Sequence, residues 1–279
     1  MFRKLFTLIN NISRPFGFEI KHISSKADNT YSNLDEQSVI KENLKALGLE
    51  KNGYCVDIAA SDGITMSNTY SLYQDGWTGL AVEFDRQKFA SLATKYRVFS
   101  RVNLAKCMVT PNNVVSLLLA NETPKEFAFL NLDIDGYDYF VLDQILAHYR
   151  PKLICTEINE KIPPPIKFTV KWDPSYVWAE DHFYGQSISQ LYSLTTKYNY
   201  SLVELHYNNA FLVPSELCSK TSLTPEEAYR IGYKEKVDRK EKFPWNANME
   251  EVLHLQPEES LAFISSFFEK YKGKFDISL

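Results

Sequence analysis

The apolar positions of this chain keep two rhythms. In residues 1–17, Phe2, Leu5, Phe6, Ile9, Ile12 and Phe16 recur at roughly helical spacing. Residues 34–48 read as a second helix, with Val39, Leu44 and Leu47 on one side and Gly48 as its stop. Between them, HISSKADNTYSN at 22–33 reads as a linker. From Tyr54 the rhythm changes to short apolar runs separated by stretches of helical length. The runs are YCVDIA at 54–59, GLAVEF at 79–84, FAFLNLDI at 127–134 and LICTEI at 153–158, with a less clear one starting near Val98. Stretches 65–75, 86–96, 111–120 and 137–148 are each long enough for a helix. Strands alternating with helices predict an α/β fold with a doubly wound, mostly parallel sheet.

A further helix over 186–198 precedes SLVELH at 201–206 and AFLV at 210–213. Only Tyr207 to Asn209 separate these two runs. So short a link makes a hairpin, and the last strand is expected to run antiparallel. Residues 160–185 keep no period and carry Pro163, Pro164, Pro165, Trp172, Pro174, Trp178 and Tyr184. A long irregular insertion of this kind predicts a functional loop. After residue 218 comes a helical tail with its own apolar set, including Leu253, Leu255, Phe263, Phe267 and Phe268. The expected organisation is a helical N-terminal extension over 1–50, a core domain over 51–215 and a helical C-terminal tail over 216–279.

Composition narrows the function classes. Lys and Arg total 31 against 35 Asp and Glu, a formal charge of −4, and 44% of residues are hydrophobic. That apolar content excludes disorder as a description of the whole chain. A mildly acidic balance lacks the basic footprint that nucleic acid requires, so no nucleic-acid partner is expected. No apolar run approaches the ~18 residues of a membrane span. Arg3 and Lys4 precede the first apolar patch, but the patch breaks at Asn10 and no small-residue cleavage site follows, so a secretory signal is not expected. With Arg14, these cations make the first 17 residues a candidate for weak contact with a membrane surface. Three cations anchor weakly, which favours the other reading: a helix docked on its own domain or on a second subunit of an oligomer. Cys55, Cys107, Cys155 and Cys218 form no CxxC pair, and three of them fall in apolar stretches. Reduced, buried thiols and a cytoplasmic location are therefore expected.

The first strand ends in VDIAASDG, residues 56–63. Ala59, Ala60, Ser61 and Gly63 are small enough for a tight turn and for close approach of a ligand, and helix amides are expected from about Ser67 and Asn68. The second strand ends in Glu83, 20 residues after Gly63. An acid at that distance is placed to hold a ribose diol. Strand, turn, helix, strand and acid together point to a nucleoside cofactor. Asp57 and Asp62 narrow the choice, because they repel a pyrophosphate and favour a cationic ligand. S-adenosylmethionine, with its ammonium and sulfonium, is such a ligand.

The segment VDIAASDGITMSNTYSLYQDGWTGLAVEFD at 56–85 resembles the FkbM-type family of S-adenosylmethionine-dependent methyltransferases. VTPNN at 109–113, FLNLDIDGYDYFVL at 129–142, EIN at 157–159, HFYGQS at 182–187 and NNAFLV at 208–213 agree with it, so the resemblance spans roughly 54–213. These motifs are specific together and weak singly. Ala59 departs from the pattern, where relatives more often have glycine. The resemblance implies a methyltransferase fold and assigns roles. Asp57 accepts from the ammonium of the methionine part. Ala59, Ser61, Asp62 and Gly63 wrap that part with backbone. Ser67 and Asn68 hold its carboxylate, Glu83 binds the ribose hydroxyls, and Phe84 packs near the adenine.

Methyl transfer to a hydroxyl also needs a proton acceptor, and open α/β sheets bind their ligands at the carboxyl ends of the strands. Asp133 and Asp135 end the fourth strand and share a side of it; Glu157 and Asn159 do the same on the fifth. Oxygen ligands of this kind suit a hard cation, so Asp133, Glu157 and Asn159 are a candidate Mg²⁺ set, the other reading being substrate hydrogen bonds or helix caps. His182, in EDHFYG, is a candidate general base with Glu180 or Asp181 to orient it, Asp133 a further catalytic candidate, and His206 a second histidine. Trp172, Trp178, Phe183 and Tyr184 are candidates to stack on a sugar ring. The expected function is O-methylation of a sugar, glycan or related hydroxylated small molecule. Two alternatives stay open: a glycosyltransferase using Asp133-Ile134-Asp135 as a metal-binding DxD motif, and a non-catalytic scaffold that keeps the fold.

Overall fold

The computed structural model describes residues 30–279. The expected helix over 1–17 and most of the linker lie outside the described residues. Helix α1 (Glu36–Ala46) is followed by β1 (Tyr54–Ile58), α2 (Tyr70–Gln74), β2 (Thr78–Glu83), α3 (Arg86–Tyr96), β3 (Val102–Lys106), α4 (Val114–Ala120), β4 (Glu126–Leu132), α5 (Asp138–His148) and β5 (Arg150–Glu157). Then come β6 (Lys167–Val170), α6 (Ile188–Tyr198), β7 (Tyr200–His206) and β8 (Asn209–Pro214). Seven strands form one sheet in the order β3-β2-β1-β4-β5-β8-β7. The first five are mutually parallel, and β8 runs antiparallel to both β5 and β7. The predicted doubly wound sheet and its antiparallel last strand are thus present, with that strand inserted between its two neighbours.

Period-2 alternation sorts each strand between two cores. Val56, Ile58, Leu80, Val82, Leu130, Leu132 and Ile154 pack on one face with Val141 and Ile145 of α5 and Leu191 and Leu194 of α6. Cys55, Ala81, Phe129 and Cys155 pack on the other with Ile40 and Leu44 of α1 and Leu92 and Tyr96 of α3. Each side has a reason to be helical where it is. Asp85 caps α3 by accepting from the Gln87 and Lys88 amides, and Ser187 caps α6 by accepting from Gln190. Gly48, at φ 67°, stops α1 as expected.

Four details differ from the sequence reading. The helix expected over 65–75 is only Tyr70–Gln74, because the segment before it is spent on a loop with Ala59, Ser61, Gly63 and Met66 all at positive φ. The weak strand near Val98 begins instead at Val102; Val98 itself is solvent-facing. The hairpin link is two residues long, Tyr207 and Asn208. The insertion over 160–185 is not wholly irregular: its strand β6 pairs antiparallel with β9 (Phe275–Ser278) at the chain's end. The tail between them is helical as expected, with α7 (Pro225–Tyr229), α8 (Arg239–Lys242) and α9 (Pro257–Phe267). Its Leu253 and Phe268 join the α5–α6 core, and residues 31–279 pack as one compact unit.

Candidate functional site

The carboxyl ends of β1, β2, β4 and β5 converge on one edge of the sheet. The turn after β1 carries Ala59 at φ 71° and Ser61 at φ 51°. Left-handed backbone suits glycine, so Ala59 sits there against its own preference. Gly63, at φ 83°, is required for packing: a Cβ there would lie 2.5 Å from Leu92 and Tyr96 of α3, and the Tyr96 hydroxyl donates to its carbonyl at 2.8 Å. Glu83 ends β2 with one oxygen accepting from Ser61 N at 2.9 Å and the other from Asp85 N at 2.6 Å. Its carboxylate is thereby aimed across the β1 turn, and each oxygen keeps a lone pair for a further donor. Phe84 beside it is 60% exposed.

Asp57 and Asp62 are both engaged within the protein. Asp62 accepts from the Ile64 and Thr65 amides and the Thr65 hydroxyl, and pairs with Lys95 of α3 at 2.7 Å. Burial opposes its ionisation, but Lys95 and these hydrogen bonds outweigh it, and the carboxyl titrates below its ordinary range. Asp57 is buried, with one oxygen accepting from the Thr69 hydroxyl at 2.6 Å and the other from Asn131 Nδ2 at 2.9 Å. Ser67 Oγ accepts from the Tyr70 and Thr69 amides at the entry to α2. Asn68 donates to Asn131 Oδ1 at 2.9 Å.

One carboxylate oxygen from each of Asp133, Asp135 and Glu157 lies within 4.8 Å of the other two. The expected metal set named Asp133, Glu157 and Asn159; the acids that converge are Asp133, Asp135 and Glu157. Asn159 gives both amide hydrogens to the His182 and Tyr184 carbonyls at 2.9 Å, which leaves its Oδ1 buried and unpartnered. Asp133 Oδ1 and Glu157 Oε2 are likewise buried without a partner, so the donor set fits a hard divalent cation. Burial first, then the charges of Asp135 and Asp138, push Asp133 well above its ordinary value. Burial and the charge of Asp133 do the same to Glu157. Burial and Asp138 raise Asp135 to about 6. Asp138 itself holds the turn by accepting from the Ile134 and Gly136 amides.

His182 lies apart from these carboxylates. Its ring packs 5.6 Å from that of Phe267 in α9. Burial and the nearby Lys161 lower its pKa, which keeps it neutral. Asp181 does not orient it, since its carboxylate accepts from the Lys270 ammonium, the Tyr271 hydroxyl and the Phe183 amide. The His206 ring is held by the Leu34 carbonyl.

Of the four candidate stacking residues, Trp172 and Phe183 line a cleft of about 280 Å³, together with Asp173, Tyr176, Tyr271 and Lys274. Trp178 and Tyr184 do not: Trp178 donates to the Asp181 carbonyl, and Tyr184 is buried against Glu160 and Lys161. Tyr176 joins the cleft to the acids. Its hydroxyl donates to the Asp135 carbonyl at 3.1 Å, and a Cβ on Gly136 would lie 2.7 Å from its ring. Sequence reasoning missed Asn131, Tyr176 and Glu36. Asn131 alone left a signal, a polar residue inside the apolar run FAFLNLDI. Glu36 is buried at the start of α1 with Oε1 on Asn209 and Oε2 unpartnered; burial raises its pKa from 4.5 to about 7.

No family model matches the chain, and no curated protein matches it. Solved structures of similar fold include an S-adenosylmethionine-dependent methyltransferase from Clostridium acetobutylicum (9% identity, TM-score 0.42, 74% of this chain and 98% of that one covered). WbdD is another (13% identity, TM-score 0.41, 68% of this chain and 46% of that one). A third is a methyltransferase from Aquifex aeolicus (8% identity, TM-score 0.37, 65% of this chain and 98% of that one). At such identities and TM-scores these likenesses carry no argument about activity, and the fold rests on the strand order itself.

Proposed function

We propose that the chain is an S-adenosylmethionine-dependent O-methyltransferase of FkbM type that acts on a hydroxyl of a sugar, glycan or related small molecule. The observation that carries this reading is Glu83. A carboxylate held by two backbone amides at the end of β2, facing the β1 turn, repels a phosphate and accepts from a diol. Exposed Phe84 beside it offers a face for an adenine ring. The cofactor supplies an activated methyl group; the protein's share is to hold the acceptor in line and take its proton.

For the proton, the acid cluster is better supported than His182. Asp135, raised to about 6 by burial and the charge of Asp138, adjoins the cleft through Tyr176, whereas the His182 ring packs against the tail. Asp133, Asp135 and Glu157, with Asn159 as a further oxygen donor, are the residues to hold Mg²⁺, which would offset their mutual repulsion and bind acceptor oxygens. The cleft with Trp172 and Tyr176 is the place for the acceptor ring. The test is calorimetric titration with S-adenosylhomocysteine. Wild type is expected to bind, and Glu83→Ala to bind about 1.5–3 kcal/mol more weakly, the worth of hydrogen bonds to a charged acceptor. Equal binding by that variant would remove Glu83 from the ribose.

A further inference from the structure

A row of polar side chains crosses the sheet beneath the β1 turn. Asp57 of β1 is paired in register with Asn131 of β4, and Asn131 with Cys155 of β5. Alternation sends all three to the same face, otherwise an apolar core. The hydrogen bonds along the row have one direction. A carboxylate accepts and cannot donate, so Asp57 takes the Thr69 hydroxyl on one oxygen and the Asn131 amide nitrogen on the other. Asn131 must then turn its oxygen towards Asn68. Asn68 must answer with its nitrogen, which donates to that oxygen at 2.9 Å and lies 3.9 Å from Cys155 Sγ. The outcome is that Asn68 Oδ1 is left over. It is buried and has no partner. Which atom of this amide is left over is therefore fixed by Asp57, two hydrogen bonds up the relay.

An unpartnered buried acceptor calls for a donor. The surroundings also select the sign of charge. The row carries the Asp57 carboxylate, and the Asn68 amide nitrogen is spent on Asn131, so what is left at its end is an acceptor two hydrogen bonds from a negative charge. An anionic ligand group is disfavoured there and a cation is favoured. The Ser67 hydroxyl, the other group expected to hold a carboxylate, accepts from the Thr69 and Tyr70 amides and lies 3.4 Å from Thr69 Oγ1, whose own proton goes to Asp57, so the Ser67 proton has a partner within the row.

We propose that Asn68 Oδ1 accepts a hydrogen bond from the ammonium of the cofactor's methionine part, and that Asp57 and Asn131 are positioning residues that set its polarity. This reverses the role that the resemblance implies for Asn68, which was to hold the carboxylate. It rests on the proposed cofactor.

The experiment is calorimetric titration of the full chain with three probes: S-adenosylhomocysteine, its deaminated analogue, which keeps the carboxylate, and its decarboxylated analogue, which keeps the amine. Asn68→Ala is expected to weaken the two amine-bearing probes roughly tenfold or more and to leave the deaminated one unchanged. Asn131→Leu, which removes the group that fixes the Asn68 amide, is expected to weaken the amine-bearing probes by less than Asn68→Ala does and to spare the deaminated one. Two patterns would overturn the inference. In one, Asn68→Ala weakens the deaminated probe and spares the decarboxylated one, which places the carboxylate at Asn68. In the other, all three probes weaken equally, which makes the role structural. If wild type binds none of the probes, the cofactor reading itself fails and the inference goes with it.

Discussion

Glu157 and Glu160 are three residues apart, both buried, and live in opposite electrostatic worlds. Glu160 has a partner for every oxygen. Lys161 is 3.0 Å away, Asn246 donates to it at 2.6 Å and the Tyr184 hydroxyl at 2.8 Å, while the Tyr229 hydroxyl takes its backbone carbonyl. Burial works against its charge, but Lys161 and these donors win, and its pKa falls below the ordinary value. Glu157 has one donor, Asn208 at 2.7 Å, an orphaned second oxygen, and Asp133 and Asp135 as neighbours. Its pKa rises. A satisfied buried charge holds the fold together; here it ties the insertion to the tail. An unsatisfied cluster of like charges costs stability, and such clusters concentrate where a ligand or a proton is handled.

Removing one half of the satisfied pair should have the largest effect. Glu160→Ala strands the Lys161 charge and is expected to cost about 3–5 kcal/mol in urea unfolding. Replacing both residues by apolar ones of similar size should recover most of that loss. Full stability in the single variant would break the contrast.

Glu36 stands between the two cases, with one oxygen paired and one orphaned. Its folded pKa, about 7, lies above its ordinary value of 4.5. The folded chain therefore holds that proton more tightly than the unfolded chain. The resulting stability is present below about pH 4.5 and is lost as pH rises through about 7. Glu36→Gln should abolish this loss, gaining up to roughly 3 kcal/mol over wild type at pH 8 and nothing at pH 4. Thermal melts across that range read it, and parallel pH profiles for the two proteins would contradict it.

Glu157→Gln is the mirror of the first experiment. It relieves repulsion, so stability at pH 8 should hold or rise by about 1 kcal/mol. Turnover on a validated acceptor should fall sharply all the same. If the cluster holds Mg²⁺, chelator should abolish wild-type turnover and added Mg²⁺ restore it. Full activity in chelator would leave these acids as hydrogen-bonding and proton-accepting groups.

The smallest effect is expected at Ala59. Ala59→Gly relieves a left-handed alanine at φ 71° and should stabilise the chain by at most about 1 kcal/mol, read by urea midpoint.

What the sequence made legible follows the same division. The β1 turn, Glu83 and the parallel sheet are local: one stretch from Tyr54 to Glu83 contains the strand, the turn and the acid, and its periodicity shows without any partner. Asp133, Asp135 and Glu157 were legible as strand ends. The jobs of Asp62 and Ser67 were not, because Lys95 and the Tyr70 amide claim them only once α3 and α2 are in place. Nor was the cleft. Phe183 stacks on Tyr271 at 3.9 Å, and β6 pairs with β9, across about a hundred residues with no shared pattern. An irregular stretch such as 160–185 looks structureless when its strand partner lies at the far end of the chain.

The central claim is that this edge of the sheet binds S-adenosylmethionine. Thermal unfolding of the full chain with S-adenosylmethionine, S-adenosylhomocysteine, NAD or UDP, each in large excess, tests it most directly. A ligand at about 100 times its Kd adds roughly 2.7 kcal/mol, a shift of about 5 °C or more for a chain of this size. The two S-adenosyl compounds should give that shift, and NAD and UDP should give none. Stabilisation by UDP alone would contradict the account and turn Asp133 and Asp135 into the glycosyltransferase motif that the chain also resembles.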